Sequence, residues 1–96
     1  MFDAELPPAP AARRDEVHLL LLAARNCRSA LLAVEDLLAV SEAELCRLSL
    51  KPVGEIVEAS VRLRGVDAAA AERLAARANA QLGVSSARVE HVWGLK

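Results

Sequence analysis

Few residues in this chain have the type and spacing that chemistry needs. Cys27 stands close to Arg25 and Arg28, where cations and a helix N-terminus would lower a thiol pKa and favour a nucleophile. The plainer expectation for Cys27, and for Cys46, is a free, buried thiol packing as a small hydrophobe. Two cysteines make no disulfide framework of the kind that staples small secreted domains. His18 and His91 are far apart in sequence and have no supporting ligands, so no metal site is expected. On adjacent strands the two imidazoles could sense pH or touch a ligand; the plainer expectation is that each is satisfied singly, at a strand end or an interface. The chain has no CxxC, no glycine-rich phosphate loop, no GxSxG elbow and no paired catalytic carboxylates. It is read as non-enzymatic, with no cofactor.

The elements that must position these residues are clearest from Gly54 to Lys96. Val57, Ala59, Val61 and Leu63 are apolar and Glu58, Ser60, Arg62 and Arg64 polar, the period of two of a strand over Glu55 to Gly65 with one buried face. Asp67 can cap a helix whose stripe is Ala71, Leu74, Ala75, Ala78 and Leu82, and Gly83 suits a left-handed end. A second apolar stretch, Ala87 to Trp93, closes this half, with Trp93 expected to cover the rim of the core.

The first half repeats the plan. Val17 to Ala24 is apolar except for His18, as in a strand covered on both sides or lying in mid-sheet. Ala30, Leu31, Val34, Leu37 and Leu38 then return at helical spacing over Ser29 to Val40, with Asn26 or Ser29 as cap and Glu35 and Asp36 on the other side. Ser41 to Glu44 has a capping-box pattern and reads as a second short turn. Leu45 to Lys51 alternates, placing Cys46, Leu48 and Leu50 on one face and Arg47, Ser49 and Lys51 on the other. Pro52-Val53-Gly54 is the expected turn. The order βαββαβ predicts an α+β, ferredoxin-like two-layer sandwich: a four-stranded antiparallel sheet with two helices on one face and a polar, slightly basic face opposite. Residues 1–15, rich in proline, are expected to form a flexible N-terminal arm, and residues 16–96 the domain.

The chain has 96 residues, 54% hydrophobic and 26% charged, with net charge -1. That balance gives no general attraction to nucleic acid or acidic membranes. RNA-recognition modules of this shape stack bases on sheet aromatics, whereas this chain has no Tyr, and its Phe2 and Trp93 fall in the arm and near the last strand end. No apolar run approaches the ~20 residues of a membrane span, and Met1 to Pro10 lacks the basic and apolar regions of a secretory signal. A cytoplasmic location is expected.

At Asn26-Cys27-Arg28-Ser29-Ala30-Leu31, where the first strand hands over to the first helix, the chain resembles an ACT domain, whose pattern there is roughly D-R-P-G-L-L. That family's later G-x-N-I falls on Glu42-Ala43-Glu44-Leu45, followed by matching Leu48 and Leu50. The resemblance covers about Glu16 to Trp93 and lies mainly in element order and apolar spacing. It implies a freestanding regulatory subunit, similar in layout to the small regulatory subunit of acetolactate synthase. Such a subunit forms a homodimer, binds an amino acid or similar metabolite through Asn26, Cys27, Arg28, Ser29, Ala30 and Leu31, and regulates a partner enzyme. Ser29 stands where the family has glycine, and a side chain there can block close backbone approach by a ligand. That departure supports an alternative, a ligand-free assembly module using its open sheet edges. A stand-alone effector domain akin to the ligand-binding half of an Lrp-like transcription regulator shares the strand order.

Overall fold

The computed structural model describes residues 16–92; the arm and Trp93 lie outside them. The elements are β1 (Val17–Ala24), α1 (Cys27–Val40), β2 (Glu44–Val53), β3 (Ile56–Arg64), α2 (Ala68–Asn79) and β4 (Val84–Val92). The strands form one sheet in the order β2-β3-β1-β4, each neighbouring pair antiparallel. This is the expected βαββαβ sandwich. β1 lies in mid-sheet, which explains its apolar run: His18, Leu20, Leu22 and Ala24 are buried under the helices, and Val17, Leu19, Leu21 and Ala23 are half-buried on the opposite face. The core joins Leu20 and Leu22 to Val61 and Leu63 of β3, Leu37 of α1 and Leu74 of α2.

Local chemistry sets most element ends. Asn26 caps α1, its side chain accepting the Ser29 N–H at 2.8 Å, so the helix starts two residues before the expected Ser29. Asp67 caps α2 in the same way, accepting from the Ala70 N–H at 2.8 Å. The short turn expected at Ser41 to Glu44 does not form. The Ser41 hydroxyl donates to the Leu37 carbonyl at 2.7 Å and accepts from the Ala43 N–H at 3.2 Å, and β2 begins at Glu44.

Three further expectations are corrected. Pro52 and Val53 are strand residues, opposite Val57 and Ile56, and the turn is Gly54-Glu55 with Gly54 at φ +63°. An edge strand tolerates the missing proline N–H, and glycine meets the positive φ of a two-residue hairpin. Cys46 does not face the core. Leu45 pairs with Leu63 and Arg47 with Arg62, so Cys46 is the extra residue of a bulge and is exposed, as is Cys27. Leu82 leaves the helical stripe and is 85% exposed, because α2 ends at Asn79. There the Ala80 and Gln81 N–H groups turn back to the carbonyls of Arg77 and Ala78, at 3.1 and 3.0 Å, and the chain swings off the helix.

Candidate functional site

The six residues of the first strand–helix turn form one surface feature at the C-terminal end of β1. Asn26, Cys27 and Arg28 are exposed, Ser29 is half-buried, Ala30 is in the core and Leu31 is partly exposed. The cap consumes the Ser29 N–H and the Asn26 carbonyl takes the Ala30 N–H at 3.2 Å. The N–H groups of Cys27 and Arg28, in the first turn of α1, have no carbonyl within the helix to bond. Arg28 belongs to the same turn and Arg25 Nε stands near Ser29 at the Gly83 contact, which gives the turn a cationic character suited to a carboxylate.

This turn is braced by a residue that the sequence marked only for its backbone. Gly83 has φ +87°, and a Cβ placed on it would fall onto Ser29 Oγ and lie 2.8 Å from Ser29 Cβ and 3.3 Å from Arg25 Nε. The Arg25 N–H donates to the Gly83 carbonyl at 2.8 Å. The side chain at 29 is therefore accommodated by the absence of one at 83. No local signal could have linked the two positions.

A second bridge joins the helices. Asp36 accepts from Arg77 Nε and Nη2 at 2.6 and 3.0 Å and from Gln81 Nε2 at 2.9 Å. The Arg77 hydrogen bond holds the Asp36 carboxyl below its ordinary range, and Asp36 in turn raises Arg77. Spacing alone placed Asp36 on the side of α1 away from the apolar stripe; its bond to α2 is a tertiary fact. Past this bridge, between the end of α1 and the start of α2, opens a cleft of about 600 Å³ whose walls include Val40, Glu42, Gly65, Asp67, Arg73 and Leu74. It lies at the opposite end of the sheet from the 26–31 turn. A smaller cleft of about 170 Å³ opens on the free sheet face near Leu21, Ser60 and Arg88. Residues 26–31 line neither.

The strands of His18 and His91, β1 and β4, are adjacent as expected, and their register makes the two residues direct partners. The His18 side chain is wholly buried, with Nε2 3.0 Å from the Val66 carbonyl and 3.6 Å from Glu16 Oε1. It is satisfied within the fold. The side chain of His91 lies outside the described residues. Among the described residues no three His, Cys, Asp or Glu gather as a metal site, and no helix is long and apolar enough to cross a membrane.

The free sheet face carries Arg47, Ser49 and Lys51 opposite Arg62, Ser60 and Glu58, as the alternation predicted. β1 adds a half-buried stripe of Leu19 and Leu21 to its middle. Arg64 pairs with Glu44 and Arg88 with Glu90, each at 3.0 Å and well exposed. Arg62 Nε is buried without a hydrogen-bond partner among the described residues.

This strand order, with two helices on one face, is the ACT-like form of the ferredoxin-like fold. Among solved structures, the C-terminal domain of the MgtC protein from Mycobacterium tuberculosis superposes with TM-score 0.68 at 16% identity, over 84% of this chain and 92% of that one. The ACT domain of GTP pyrophosphokinase from Chlorobium tepidum superposes with TM-score 0.61 at 9% identity, over 79% and 96%. Its solution structure gives 0.60 at 10%, over 83% and 90%. At these identities the likeness is one of fold. No protein-family model matches the chain, and no curated protein matches it in sequence.

Proposed function

We propose that this chain is a non-catalytic ACT-like regulatory module that pairs with a second copy, binds an amino acid or similar small metabolite, and regulates a partner enzyme in the cytoplasm. The observation that carries this reading is the strand–helix turn. Its two open N–H groups, at Cys27 and Arg28, can donate to an α-carboxylate, with Arg25 and Arg28 adding positive charge to the same turn. The likeness in fold to the ACT domain of GTP pyrophosphokinase supports it. Pairing is supported by β2, an edge strand of 10 residues with Leu45 and Val53 each 40% exposed, because an open edge is a template for another strand. The coupling between effector and partner would be a few kcal/mol at most.

One observation favours a second reading, an assembly module without a ligand: the Ser29 side chain, braced against Gly83, sits where a ligand would need close backbone approach. Isothermal titration against the twenty common amino acids, with native mass spectrometry of the same sample, separates the two. Heat from at least one amino acid and a dimer mass are expected. A dimer with no heat from any of them favours assembly; a monomer with no heat sinks both.

A further inference from the structure

We propose that the cleft between the end of α1 and the start of α2 is a binding site for a free apolar amino acid, separate from the 26–31 turn. The inference rests on the reading of the chain as an amino-acid-binding module and adds a second site, whose walls include none of residues 26–31. At about 600 Å³ the cleft falls within the ~300–1,000 Å³ of small-molecule sites.

Its charges define the class of ligand. Of the two cations on its wall, Arg77 is consumed by the two-point bond to Asp36 at 2.6 and 3.0 Å, whereas the Arg73 side chain makes no hydrogen bond or ion pair among the described residues. Of the two anions, Asp67 is engaged in capping α2 at 2.8 Å, and the Glu42 side chain is likewise without a partner there. One open guanidinium and one open carboxylate match a zwitterion, with the ligand carboxylate on Arg73 and its ammonium on Glu42. A phosphate or a dicarboxylate would meet repulsion from Glu42 and Asp67. The apolar remainder is supplied by Leu74 and by Val40, which is 48% exposed with nothing of this chain covering it among the described residues. Gly65, at φ +91° and with a Cβ position only 3.3 Å from the Glu42 carbonyl, holds the strand–helix turn tight against the other wall.

The test is a 15N NMR titration of the full chain with L-leucine, L-valine and L-phenylalanine in turn. Saturable shifts are expected at the amides of Gly65, Val66 and Arg73. Arg73→Ala, at an exposed position, is expected to keep the dispersed spectrum and weaken binding about tenfold or more, the worth of one charge-assisted hydrogen bond. 4-Methylpentanoate, which has leucine's chain and carboxylate without the ammonium, is expected to bind less tightly than leucine to the native chain and equally to Glu42→Gln. Shifts confined to residues 26–31, or an Arg73→Ala variant that binds as before, overturn the cleft site and leave the regulatory reading standing. No saturable shift from any of the three also overturns the cleft site, and the titration against all twenty amino acids then decides the regulatory reading independently.

Discussion

Gly83 and Ser29 show how one position can be permitted by another far along the chain. Adding a methyl at 83 drives it onto the Ser29 side chain and forces an L-residue to φ +87°. Gly83→Ala is therefore expected to destabilise the fold by about 2 kcal/mol, roughly half from backbone strain and half from the clash. Ser29→Gly itself costs about 0.5–1 kcal/mol in the first turn of α1, so the contact is read from the full cycle: Gly83→Ala is expected to lower the urea midpoint less in the Ser29→Gly chain than in the native one. An equal loss in both backgrounds would show that the Ser29 contact carries no energy. Asn26 and Asp67 were readable as caps because a cap needs only residues three apart. The brace on Ser29 was not, since Gly83 lies on the far side of the second helix.

At the scale of elements, the two helices are tied by Asp36 to Arg77 and Gln81. Asp36 titrates below its ordinary value in the folded chain, so the unfolded chain binds a proton more readily. The stability this contributes is present above the unfolded carboxylate value, about 4, and is lost as pH falls through the lower folded value. Asp36→Asn should lower stability at neutral pH and flatten the acid limb of the stability profile. A variant whose acid limb parallels that of the native chain would remove Asp36 from the cause. Sequence periodicity placed α1 and α2 and read most of their buried stripes, but it counted Leu31, which is 38% exposed, passed over the buried Ala33, and extended the second stripe to Leu82. It failed at Leu82 because the 3.6-residue pattern continues past Asn79 while the chain itself leaves the helix. It failed at Cys46 because alternation carries no mark of a bulge.

For the whole molecule, sheet order decides which backbone is guarded. Among the described residues β1 is paired on both sides, by β3 and β4, and β2 on one side only. In hydrogen exchange at high dilution, the outward amides of β2 should exchange at least ~100-fold faster than those of β1. They should slow as concentration rises if two copies pair through that edge. Outward β2 amides as slow as those of β1 at every dilution would contradict an open edge and remove the support it gives to pairing.

The amino-acid sequence by itself determined the order of elements, the two-layer architecture, the inward face of β3 and the cap of α2 at Asp67. Those features depend on periods and on contacts within a few residues, which any stretch of chain carries locally. Only the tertiary structure decided that His18 meets Val66, that Asp36 meets Arg77, that Ser29 rests on Gly83, and that Arg73 and Glu42 line one cleft. Each of these joins residues that only the folding of the sheet and the lengths of its connections bring within reach.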